Sequence, residues 1–203
     1  MTITLLHSAP SSGARHTVRS AHAPATRRVT FLLLASACLA LAVLAAAPAR
    51  ALERMEAWPA KRPTPALGLT DLTGHTWQLD ELRGKVVLLH FWATWCESCV
   101  AELPHLNALA AEGAKDSTVV LSVNYKDAAA TLAEFTAAHP APYPVLRDRD
   151  GEAFKRFGGV VLPATILIDR SGRARWRLSG PLDAAGPAFT TALATLTAEA
   201  APH

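Results

Sequence analysis

Two cysteines three positions apart, Cys96 and Cys99 in Trp95-Cys96-Glu97-Ser98-Cys99, are the residues of this chain best suited to chemistry. A helix brings residues i and i+3 onto one face, so this spacing lets two sulfurs approach bonding distance. At a helix N-terminus, unpaired N–H groups and the helix dipole favour the thiolate of the first cysteine, which is the nucleophilic form. Cys99, one turn further in, is then the more buried partner, placed to attack a mixed disulfide and release the product. The pattern reads as a thiol–disulfide exchange pair. Zinc is a competing reading, but a structural site takes four ligands and these are the only cysteines after position 51. His90 and His105 would have to complete it, at a spacing that does not suggest one. A purely structural disulfide is the other alternative, although so short a loop gains little closure entropy.

The pair needs a strand before it and a helix after it, and the pattern supplies both. Val86-Val87-Leu88-Leu89-His90-Phe91-Trp92 is a continuous apolar run, predicting a strand buried on both faces. From Cys96 to about Ala111, Val100, Leu103, Leu106 and Leu109 recur at helical spacing, with Pro104 placed to kink the helix. Upstream, Leu67–Leu69 and Thr76–Leu79 flank Thr73-Gly74-His75 and predict a short hairpin. Downstream come a strand over Thr118–Val123, a helix over Ala128–Ala138, an extended piece at Tyr143–Leu146 and a short helix over Glu152–Phe157 that ends at Gly158-Gly159. Two strands, Ala164–Ile168 and Arg173–Leu178, follow around the turn Asp169–Gly172, and Asp183 is read as the cap of a last helix running to about Glu199. The order implies an α/β domain with a central mixed sheet.

The chain has 203 residues, with 20 Lys+Arg, 17 Asp+Glu and a net charge of +3. The positive balance belongs to its start. Residues 1–51 carry five arginines and no acid, so removing them leaves 15 basic against 17 acidic residues, a net charge of −2. That removes the support for nucleic-acid binding. Arg27-Arg28, the apolar run Val29–Ala47 and Ala49-Arg50-Ala51 form the three parts of a secretory signal, and the run is also long enough for a membrane anchor. Either reading places the rest outside the cytoplasmic membrane, where disulfides are permitted. Thr26–Leu32 partly matches a twin-arginine signal, and Cys38 reads as a small apolar residue of the run. Residues 52–66, with Pro59, Pro63 and Pro65, read as a linker, and 67–203 as the folded domain.

Phe91-Trp92-Ala93-Thr94-Trp95-Cys96-x-x-Cys99, followed by Glu102-Leu103-Pro104, resembles the thioredoxin-like TlpA/ResA family of exported thiol–disulfide oxidoreductases. The likeness runs from about Gly68 to Leu182 and includes Leu162-Pro163-Ala164-Thr165, similar to the family's cis-proline segment. It implies a thioredoxin-like fold: a central mixed β-sheet flanked by helices, with an N-terminal β-hairpin. It implies that Cys96, preceded by Trp95, attacks and that Cys99 resolves. Pro163 would be cis and present backbone to an incoming peptide. Glu102 would tune the thiols and relay protons; the alternative is a solvated helix carboxylate. The implied partners are proteins with disulfides or dithiols and a membrane thiol-transfer protein as electron donor. The implied direction is reduction, for example in cytochrome c maturation, by a monomer without cofactor. An oxidant of dithiols, or a non-enzymatic metal-binding module on the same fold, are the alternatives.

Two residues depart from the family pattern. His90 lies six residues before Cys96, where thioredoxins have a buried Asp and this family often has Asn. Its ring is expected beneath the site, where it could take the Cys99 proton, stabilise thiolate if charged, or simply be a hydrogen-bonded core histidine. Glu97, beside Cys96, disfavours thiolate. A peroxidase would need Pro-x-x-x-Thr-x-x-Cys, but Leu89 and Ala93 stand at those positions. Arg173, Arg175 and Arg177 predict a basic outer strand face. Asp148–Gly151 begins like a calcium loop but lacks the later ligands, so it reads as a turn.

Overall fold

The computed structural model describes residues 54–115, 117–182 and 186–201, so the leader, Cys38 and Asp183 lie outside the described residues. Six strands form one mixed sheet: β1 (Arg54–Ala57), β4 (Val86–Trp92), β5 (Thr118–Tyr125), β6 (Val145–Asp148), β7 (Ala164–Ile168) and β8 (Ala174–Ser179), in the order β1-β8-β7-β4-β5-β6. β4, β5 and β6 run parallel, whereas β7, β8 and β1 join antiparallel. A separate hairpin, β2 (Gly68–Thr70) with β3 (Thr76–Gln78), stands where the turn signal predicts it. The Asp71 carboxylate ties that turn by accepting from the Thr73 and His75 N–H groups and from Trp77 Nε1.

Every residue of β4 is buried, as its unbroken apolar run requires. Strand alternation sends Val87, Leu89 and Phe91 into a cluster with Leu121, Ile166 and Phe157, and sends Val86 and Leu88 to the other face, against Leu106, Phe189 and Leu196. The helices over that second face are α2 (Leu103–Gly113) and α5 (Pro187–Ala198). α3 (Ala129–Ala138) buries Leu132 beside Trp92, and the short α4 (Glu152–Arg156) buries Phe154 on the first face. No helix among the described residues is long and apolar enough to cross a membrane.

Three expectations shift. Residues 54–58 are not linker: Arg54–Ala57 pair with β8, and Trp58 is buried in the core. The prolines that suggested a tether all follow the strand, where no ladder N–H is required. The helix after Cys96 is two helices, α1 (Glu97–Ala101) and α2, meeting at Glu102. Pro104 has no N–H to continue the ladder, so the predicted kink is a full break. The last helix begins at Pro187 with Gly186 as its cap, later than Asp183, because a proline fits the first turn.

Candidate active site

β4 delivers the chain to the turn Ala93–Trp95, and one carboxylate holds that turn. Asp127 Oδ2 accepts from the Thr94 N–H at 2.8 Å and from Asn124 Nδ2 at 2.6 Å. Cys96 caps α1 in an extended conformation, and its sulfur accepts from the Cys99 N–H at 3.3 Å. The two sulfurs are joined at 2.06 Å. Cys96 keeps 8% of its surface exposed and Cys99 has 0%, the asymmetry expected of an attacking and a resolving thiol. Glu97 points to solvent, where its charge is screened from the sulfur.

Behind the pair lies a buried polar cluster that the apolar run of β4 conceals. Glu102 is 4% exposed, so it is not a solvated helix carboxylate. Its Oε1 accepts from the Leu182 N–H at 2.7 Å. The break between α1 and α2 places it there, one turn after Cys99. Fully buried His90 has Nε2 3.7 Å from Glu102 Oε2 and Nδ1 3.0 Å from Thr165 Oγ1. Burial pushes the His90 pKa down to about 3, so the ring is neutral. Burial thus disfavours a charged imidazole, and the contact with Thr165 fits a hydrogen-bonded core histidine. Ser122 sits in register beside His90 on β5, and Thr165 on β7.

The Leu162–Pro163 peptide is cis, and the Pro163 carbonyl accepts from the Gly180 N–H at 2.9 Å. Beside Cys96 runs an open groove of about 770 Å³, walled by Trp95, Tyr125, Phe154, Val160, Val161 and Leu162. Trp95 is 66% exposed and Val160 85%. Sequence reasoning missed the walls other than Trp95, and missed Asp127. The signal was there for part of it: Val160-Val161-Leu162 is an apolar triplet in a loop between Gly158-Gly159 and Pro163, where turn residues would be polar.

Other features prove structural. Arg175 pairs with Asp169 and Glu199, and Arg177 with Glu56, so these two cations of the basic strand are neutralised within the fold. The N-cap of α4 is Gly151, and buried Asp148 accepts from the Ala153 and Phe154 N–H groups of its first turn, so its carboxylate is engaged within the fold as the turn reading expects.

A cysteine pair bridging the first turn of a helix, directly after a central strand of a mixed sheet, is the arrangement of a thioredoxin-like thiol–disulfide exchange enzyme. The chain belongs to the AhpC/TSA family, whose match spans residues 60–177. Within it, the chain resembles the ResA and DsbE oxidoreductases. It is 33% identical over 118 residues to the thiol-disulfide oxidoreductase ResA of Geobacillus kaustophilus, covering 58% of this chain and 68% of that one. It is 38% identical over 124 residues to the thiol:disulfide interchange protein DsbE of Pseudomonas fluorescens, covering 60% and 67%. Among solved structures, the exposed lipoprotein thioredoxin Etrx1 of Streptococcus pneumoniae matches with a TM-score of 0.57 at 29% identity, over 65% of this chain and 98% of that one. Family membership does not supply the peroxidase pattern, because Leu89 and Ala93 occupy its proline and threonine positions.

Proposed function

We propose that this protein reduces disulfides of other proteins outside the cytoplasmic membrane. The Cys96 thiolate attacks a client disulfide lying along the apolar groove, with the backbone at Pro163 aligning the peptide and Trp95 forming one wall. Cys99 then attacks the mixed disulfide, and Glu102 accepts its proton. A membrane thiol-transfer protein returns the pair to the dithiol, and an apocytochrome c heme-binding cysteine pair is the client class. The leader at 1–51, as signal or anchor, carries the domain across. The observation that carries this reading is a capped Cys96 that keeps 8% of its surface beside an apolar groove, with Cys99 fully sealed behind it.

The test is the reduction potential of the pair, measured by equilibration with thiol buffers, together with reduction of an oxidised C-x-x-C-H peptide. Reducing exchangers such as thioredoxin lie near about −270 mV, and strong oxidants near about −120 mV. A potential at the oxidising end, with no peptide reduced, overturns the proposed direction and leaves an oxidant of dithiols.

A further inference from the structure

The exchange reading assigns a base, Glu102, but leaves unexplained why a histidine lies behind it. His90 is fully buried in the middle of β4, in an otherwise apolar strand. A neutral imidazole carries one N–H and one lone pair, and the partner of one nitrogen decides which nitrogen keeps the proton. Nδ1 faces the Thr165 hydroxyl at 3.0 Å, and Nε2 faces Glu102 Oε2 at 3.7 Å. A lone pair on Nε2 aimed at a carboxylate oxygen would repel it. With Thr165 donating to Nδ1, the proton stays on Nε2 and the contact becomes attractive. At 3.7 Å this is an oriented dipole more than a full hydrogen bond, yet in a dry interior its field is little screened.

We propose that His90, set by Thr165, is a positioning residue that presents its Nε2–H to Glu102 and keeps that carboxylate in the form able to take the Cys99 proton. This rests on the exchange reading above. In the resolving step Cys99 loses its proton to Glu102, and the Cys96–Cys99 bond forms as the bond from Cys96 to the client sulfur breaks. The dithiol is oxidised by two electrons, the client sulfur leaves as a thiolate, and Glu102 passes its proton to solvent. Among the described residues, the groups facing the ring are Glu102 from the α1–α2 junction, Thr165 from β7 and Ser122 in register on β5. Glu102 adjoins the cysteine pair through its backbone, its N–H donating to the Cys99 carbonyl at 3.2 Å.

The reduced full-length protein is mixed with dithiobis-nitrobenzoate across a pH series. Cys96 releases one coloured thiolate on attack, and Cys99 releases a second on resolution. No client is needed, so a failed client assay and a failed positioning role are told apart. His90→Asn and His90→Leu should each move the acid limb of the resolving phase up by about one pH unit, roughly tenfold in rate below the midpoint. In a Glu102→Gln background the same substitutions should move nothing further. An unmoved limb, or an equal shift without Glu102, overturns the proposal. Should the His90 variants not fold, ¹⁵N shifts of the wild-type ring decide, because an Nδ1–H tautomer contradicts it. Thr165→Val should give the same upward shift in smaller measure.

Discussion

A buried neutral histidine makes folding stability depend on pH in a window set by two numbers. His90 has a reference pKa of 6.5 and about 3 in the fold, with burial as the cause. Between those values the unfolded chain binds a proton that the native ring refuses, so stability falls as pH falls. From pH 7 to pH 5 the loss from this one group works out at about 2 kcal/mol, and for a domain of this size it lowers Tm by roughly 4–8 °C. His90→Asn removes the titrating group while keeping a polar side chain. Its packing cost is paid equally at every pH and cancels in the comparison. The assay is urea denaturation of oxidised wild type and variant at pH 7 and pH 5, read by tryptophan fluorescence. Wild type should lose about 2 kcal/mol more than the variant over that interval. The opposing influence is the Glu102 carboxylate at 3.7 Å, which would favour a charged ring. If that attraction outweighs burial, the native ring takes up the proton, and the variant loses as much stability as wild type or more. That result would refute a neutral His90.

Three further predictions follow from packing and caps. Glu102→Ala should cost about 2–4 kcal/mol in a denaturant titration, because the Leu182 N–H loses its acceptor and a cavity opens; Glu102→Gln, which keeps an acceptor, should cost about 1 kcal/mol or less. Trp58→Ala should cost about 3–5 kcal/mol by the same measurement, and a negligible cost would restore the linker reading of 52–66. Burial would raise the Asp71 pKa, but hydrogen bonds from Trp77, Thr73 and His75 outweigh it and lower the value from 3.8 to about 2. Its contribution is therefore present above pH 3.8 and lost as pH falls through about 2. Because Asp71 is partly solvated and its charge screened, Asp71→Asn should lower stability by only about 1 kcal/mol at pH 7, a cost that shrinks as pH falls through about 2.

The parts of this fold that the sequence made legible are those where one physical signal dominates. The all-apolar run of β4 could only be a strand covered on both faces, and Gly158-Gly159 could only end a helix. Cys96 and Cys99 at i, i+3 after that strand pointed to the pair that the structure joins as a disulfide. Elsewhere two signals competed and the local one misled. Three prolines and mixed charges made 52–66 read as a linker, although the prolines lie just beyond the residues that pair and pack. Asp127 and Thr94 are 33 positions apart in sequence, and only the parallel pairing of β4 with β5 makes them neighbours.

His90 and Glu102 show why a site's support is harder to read than its nucleophile. Periodicity places each residue on a face but does not say what it meets there. Glu102, read along a helix, could equally face solvent. It turns inward because Pro104 breaks the helix one turn after Cys99, and the break leaves its carboxylate beside the Leu182 N–H and the His90 ring. On the proposed role of Glu102, the same proline that interrupts the helix also sets the base for Cys99. It follows that replacing Pro104 with Ala, which would favour a continuous helix, should slow the resolving step more than the attacking one. Cys96 lies before the break and keeps its cap, whereas the carboxylate behind Cys99 lies on it.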